Sequence, residues 1–151
     1  MKYINSIKIA VKIGRKWAMI STLSGILSAF IIWSVMTGDF IEVLLMFKES
    51  YVIAGIITAF VFSYFIGQVV AKQIVNNNKY IILKWIFCGL LTTNVSLIIP
   101  AFISASNVSE FFLNLLFNMV WFSIYGLIPI LIFGTSFGSF LKNEIQKTII
   151  L

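Results

Sequence analysis

The chain has 151 residues, of which 60% are hydrophobic and 11% charged, against about 45–50% and about 25% in ordinary soluble domains. That balance excludes a soluble globular domain and points to a lipid solvent, which a helix crosses with about 20 apolar residues. Eleven basic residues against five acids give +6, but with no histidine and one cysteine the side chains most used in catalysis and metal binding are nearly absent.

The first element in chain order is a basic segment, residues 1–16. Lys8, Lys12 and Arg15 share one narrow helical stripe, with Ile4, Ile7, Ile9, Val11 and Ile13 around it. Such a segment is expected to lie on anionic lipid headgroups. The first span follows, from Trp17 to about Thr37; the run is long and Ser34 to Gly38 is a poor cleavage site, so it reads as a retained helix rather than a signal peptide.

Asp39-Phe-Ile-Glu42 has the form of a capping box, a polar side chain followed three residues later by an acid, which satisfies free amides at a helix start. It predicts a short helix at the outer interface near residues 40–48, with Lys48-Glu49-Ser50 marking the bend into the second span, Tyr51 to about Ala71. Along that span Gly55, Ala59, Ser63, Gly67 and Ala71 recur every four residues, a stripe that lets another helix backbone approach closely.

Asn76-Asn77-Asn78 forms a tight polar connection to the third span, Ile81 to about Ser104, in which only Lys84 is charged and lies close enough to the end to snorkel. A second capping box, Asn107-Val-Ser-Glu110, opens the fourth apolar stretch, Phe111 to about Leu141. That stretch is about 46 Å long as a helix, well beyond a hydrocarbon core of about 30 Å. A second interfacial helix near residues 108–116, bending at Asn118, relieves the mismatch; a single tilted helix is the competing geometry. Gly134 and Gly138 add one GxxxG to the fourth span.

Charge sets the orientation. Lys2, Lys8, Lys12, Arg15, Lys16, Lys72, Lys79, Lys84, Lys142 and Lys147 fall on one side and only Lys48 on the other, so the positive-inside rule puts both termini in the cytoplasm. An integral membrane location with both ends on the cytoplasmic side follows. Trp17, Tyr80 and Trp85 then belong to the inner interface, and Trp33, Tyr51 and Trp121 lie toward the outer one.

Sliding the sequence by 68 residues lays Lys16-Trp17 on Lys84-Trp85, Ser28 on Ser96, Asp39 on Asn107 and Glu42 on Glu110; a further slip of three lays Ser63 and Gly67 on Gly134 and Gly138. The expected fold is therefore an all-α membrane protein with four transmembrane helices arranged as two tandem parallel-repeat hairpins, residues 17–75 and 80–147.

Two polar stripes are aligned by the same repeat: Ser21, Ser24, Gly25 and Ser28 in the first span, Gly89, Thr92, Thr93 and Ser96 in the third. Together with Asn94, Asn118 and Tyr125 they define a candidate polar cavity or hydrogen-bonded helix seam (Ser24, Ser28, Thr92, Asn94, Ser96, Asn118, Tyr125). The candidate packing residues are Gly55, Ala59, Ser63, Gly67, Gly134 and Gly138. Pro100 and Pro129 free backbone carbonyls at depth. No ionisable side chain sits at mid-membrane, which disfavours a proton or cation relay.

No Walker loop, GxSxG, HExxH or cysteine pair is present, so no catalytic, cofactor or metal site is expected. The basic start before span one, the small residues and basic exit of span two, Val95 to Pro100, and Gly134 to Lys142 together resemble a family of uncharacterised small bacterial integral membrane proteins, a domain of unknown function. In that family a two-helix hairpin occurs once or in tandem, and the resemblance covers most of residues 16–142. It implies a fold and a location, which makes the expected membrane the bacterial cytoplasmic one, and no activity. The expected role is non-enzymatic, through helix packing or a small polar cavity, as an accessory or scaffold subunit. The expected partners are the bilayer, anionic headgroups, a second copy or another membrane protein, and not nucleic acid. A small-solute transporter or channel and a bacteriocin immunity protein are the alternatives.

Overall fold

The computed structural model describes the backbone of residues 2–76 and 80–150 and the side-chain surroundings of residues 5–76, 80–120 and 127–148. Within them the chain forms six helices and no strand: α1 (Lys2–Thr37), α2 (Phe40–Met46), α3 (Ser50–Val75), α4 (Ile81–Ser96), α5 (Ile98–Ser104) and α6 (Val108–Ile150). Three stretches are long and apolar enough to cross a membrane, Asn5–Thr37, Ser50–Val75 and Ile81–Ser104; Val108–Val120 at the start of α6 is a shorter apolar stretch.

Each interruption has a local cause. Helix α1 ends where Gly38 takes a left-handed φ of +69° and its amide closes onto the Ser34 carbonyl at 3.1 Å, a conformation that glycine adopts without a Cβ clash. Helix α2 starts on the Asp39 carboxylate, which accepts the Ile41 and Glu42 amides at 2.9 Å each. It packs back on α1 through the buried Val43 and an edge-on cluster of Phe30 with Phe40 and Phe47. The first of the two short helices expected from the capping boxes is thus a separate element, ending before Glu49 in extended backbone.

The second is not. In α6 the helix that starts at Val108 runs unbroken to Ile150, 43 residues, so the expected division near residues 108–116 is corrected to one long helix. The box at Asn107 starts it as foreseen: Asn107 Oδ1 accepts the Glu110 amide at 2.9 Å, and the Glu110 carboxylate reaches back to the Ser106 amide at 2.8 Å and to the Ser106 hydroxyl. What is missing is a terminator. Leu116 to Val120 contains a single polar residue, Asn118, and neither glycine nor proline, whereas Lys48-Glu49-Ser50 follows α2.

The third span breaks instead. Pro100 has no amide to give the Ser96 carbonyl, and the chain passes from α4 to α5 through Leu97, whose own amide bonds Asn94 at 3.2 Å. At the other end, α1 continues without interruption through residue 16, so the basic segment is the first part of the same helix as the first span. The connection between α3 and α4 begins with Asn76 as the C-cap of α3; Asn77 and Asn78 lie outside the described residues.

The long helices form a ring in the order α1, α3, α4, α6, with α6 returning to α1 and only slight contact across the α3/α6 diagonal. Packing is tightest toward the end that carries the basic residues. Ala10, Ala18, Val70, Ala71, Ile74, Ile81, Trp85, Leu141 and Ile145 form its buried cluster. Toward the other end, large apolar side chains such as Val35, Ile41, Phe102 and Val108 are exposed.

Candidate functional site

The α3 stripe meets a complementary one on α1. A Cβ built on Gly67 would lie 2.5 Å from the Gly14 carbonyl oxygen and 2.8 Å from the Ala18 Cβ; one on Gly14 would overlap the Gly67 carbonyl and lie 2.5 Å from the Ala71 Cβ. One turn further along, Thr22 Oγ1 is 2.5 Å from Ser63 Oγ, a hydrogen bond between the two helices. Ala10, Gly14, Ala18 and Thr22, four residues apart, therefore run antiparallel to Ser63, Gly67 and Ala71. Where lipid gives no hydrophobic advantage to helix contact, such close backbone approach supplies the association through van der Waals contact.

The remaining small residues sit on other seams. Gly55 receives the proline of the break: a Cβ there would be 2.8 Å from Pro100 Cγ and 3.2 Å from the Ser96 oxygen. Between α4 and α6, Gly134 faces Ile86 and Gly138 faces Trp85 and Ile82, at 2.9 Å for Ile86 and 3.5 Å for Trp85 from the added Cβ. Ala59 is buried on α3.

Four of the seven polar candidates are spent on their own helices, and Ser24 enters only through its carbonyl. Ser28 Oγ donates to the Ser24 carbonyl at 2.7 Å, Thr92 Oγ1 to Cys88 at 2.8 Å, Asn94 Nδ2 to Leu90 at 2.8 Å and Ser96 Oγ to Thr93 at 2.7 Å. Each bond closes within one turn, so none of these four groups is aimed at a shared centre. Asn118 is half-buried and makes no hydrogen bond among the described residues, and the side chain of Tyr125 lies outside them. Asn114 donates to Ser104 Oγ at 3.3 Å at the C-terminal end of α5.

Two shallow hollows on the helix surfaces are apolar and open. One is lined by Met19, Phe60, Val61, Tyr64 and Phe65 on α1 and α3; the other by Leu83, Lys84, Ile86, Phe87 and Leu90 on α4. At the first, Arg15 Cζ stands 4.4 Å from the centre of the Tyr64 ring, and Arg15 Nε is buried with no acceptor.

Three polar contacts tie the ring together near the basic end, and none is evident in the sequence. Lys16 Nζ pairs with Glu144 Oε1 at 3.2 Å, while the Trp17 indole N–H donates to Glu144 Oε2. The Trp17 ring stacks on Phe140 at 5.6 Å and tilts against Phe137 at 5.7 Å. Across the ring, Lys84 Nζ donates to Gln73 Oε1 at 3.0 Å. Glu144 is the one acid on the strongly basic side, which is the signal that singles it out. Half of the Lys16 side chain remains in solvent, so the pair contributes at most about 1 kcal/mol.

Among the described residues no three histidine, cysteine or acidic side chains approach closely enough to share a metal ion. No protein-family model matches the chain, and no curated protein or solved structure matches it.

Proposed function

We propose that the chain is a non-enzymatic, four-span protein of a bacterial cytoplasmic membrane that acts through its packed helical body, as an accessory or scaffold subunit. The observation that carries the choice is the closure of Ser28, Thr92, Asn94 and Ser96 onto carbonyls of their own helices. A permeation path needs polar groups turned toward a common lumen; a bundle that presents its surface to another membrane protein does not. Three long apolar stretches, in α1, α3 and α4 with α5, support this reading; in the proposal the part of α6 from Phe111 onward serves as the fourth span.

Tandem duplication is part of the same proposal. Its support is a correspondence between contacts: Lys16 lies on Lys84 at the offset of 68, and the slipped offset of 71 that lays Gly67 on Gly138 also lays Gln73 on Glu144. The pairs Lys16 with Glu144 and Lys84 with Gln73 are then the same contact made twice, once between α1 and α6 and once between α4 and α3. The ring order α1, α3, α4, α6 is what a pseudo-two-fold axis along the bundle requires. The family resemblance stated above suits this arrangement and adds no activity.

Affinity purification in mild detergent tests the role: a stoichiometric membrane-protein partner, or a stable homo-oligomer, is expected. A strictly monomeric particle with no partner contradicts it. The runner-up, a small-solute transporter, is favoured by Asn118 alone, a half-buried amide without a partner among the described residues. It requires solute flux in liposomes that falls on Asn118→Leu.

A further inference from the structure

We infer that the open groove between α1 and α3 holds one anionic phospholipid of the leaflet next to the basic end, its phosphate on Arg15 and an acyl chain along Met19, Phe60, Val61 and Phe65. Lys8, Lys12, Arg15 and Met19 follow one another at helical spacing on a single face of α1. A basic stripe therefore leads directly into the apolar groove.

The arginine lacks an anion of its own. None of the five acids is within ion-pair distance of Arg15, Lys8 or Lys12; the single ion pair among the described residues is Lys16 with Glu144. Arg15 is instead held over the face of Tyr64, itself a wall of the groove. Stacking fixes the plane of the guanidinium and leaves its terminal N–H groups as the available donors, since Nε is buried without an acceptor. A guanidinium beside a groove of Met, Phe, Val and Tyr is poorly solvated, which favours an anion that brings its own apolar tail. A planar fork of donors matches a phosphate, and an open apolar groove below it matches an acyl chain. The second groove differs: Lys84 at its edge already donates to Gln73.

The inference rests on the proposed membrane placement, but the lipid can be counted without knowing which leaflet it occupies. The full chain is reconstituted in nanodiscs of equal parts phosphatidylcholine and phosphatidylglycerol with matched acyl chains, released, and its retained lipid counted by native mass spectrometry. One phosphatidylglycerol is expected to be retained in preference to phosphatidylcholine, and Arg15→Gln is expected to lower that preference about fivefold. Val61→Trp, which fills the groove and leaves Arg15 in place, is expected to lower it too. Lys48→Gln removes an equal charge at the opposite end and leaves the preference unchanged. Equal retention of the two lipids by the unaltered chain, or a preference that survives Val61→Trp, overturns the site; Val61→Trp decides the matter if Arg15→Gln does not fold. An inverted orientation, read separately by labelling, overturns the placement and not the site.

Discussion

Gly14 of α1 and Gly67 of α3 occupy each other's missing side-chain space: a methyl group on either would run into the other's carbonyl. Gly67→Ala is therefore expected to separate the helices and destabilise the bundle by about 1–3 kcal/mol. Gly25 is the internal control, because a Cβ there meets nothing within 4 Å. Gly25→Ala is expected to be neutral or to stabilise by up to about 1 kcal/mol, through the reduced freedom of the unfolded chain. Denaturation in mixed micelles, comparing the two variants, checks the difference.

The small-residue stripe of α3 is legible in the sequence because nothing else explains Gly55, Ala59, Ser63, Gly67 and Ala71 at a spacing of four. Its partner was missed. Ala10 and Gly14 lie within the basic segment 1–16, before the first apolar run, so the sequence alone does not join them to Ala18 and Thr22 as one stripe. Composition fixes which side chains suit lipid, but not where a helix continues past the bilayer into a packed end. Likewise both helix starts were readable from Asp39 and Asn107, whose carboxylate and amide supply local caps. The continuity of α6 and the break at Leu97 depend on whether a terminator follows and on where Gly55 admits Pro100, and the second is a tertiary contact. The pairing of Glu144 with Lys16, 128 residues away, is of the same kind.

The contact of Thr22 with Ser63 is the one hydroxyl pair described across the α1/α3 seam. Ser63→Ala is expected to cost about 0.6 kcal/mol, the average for such bonds between membrane helices. Asn94→Leu, by contrast, removes only a bond to the Leu90 carbonyl, which keeps its helical partner. A change smaller than about 1 kcal/mol is expected there; a larger loss would place Asn94 in a network between helices.

The proposed duplication makes a substitution testable in the gain direction. Gln73→Glu would give Lys84 the ionic partner that Lys16 has in Glu144, and is expected to stabilise the bundle by up to about 0.5 kcal/mol at low salt, fading as salt rises. Glu144→Gln would make the first contact resemble the second and reverse the sign. Chemical denaturation at two salt concentrations reads both.

Glu110 supplies a pH dependence. Donation from the Ser106 hydroxyl, and next from the Ser106 amide, holds this carboxyl below its ordinary value. Its folded pKa is depressed, so the cap is fully present above the ordinary carboxylate pKa of about 4.3 and is lost as pH falls through the folded value. Carbon-13 NMR of the Glu110 carboxyl is expected to show a midpoint that rises in Ser106→Ala.

The four-span arrangement with both ends in the cytoplasm is tested most directly by labelling single cysteines in intact cells with a membrane-impermeant maleimide, after Cys88→Ser. Lys48→Cys and Val108→Cys are expected to label from outside, while Asn76→Cys and Gln146→Cys label only after the membrane is opened. Labelling of Gln146→Cys in intact cells while Asn76→Cys stays protected would mean an odd number of spans and contradict the arrangement; labelling of both Asn76→Cys and Gln146→Cys with protection of Lys48→Cys would invert it.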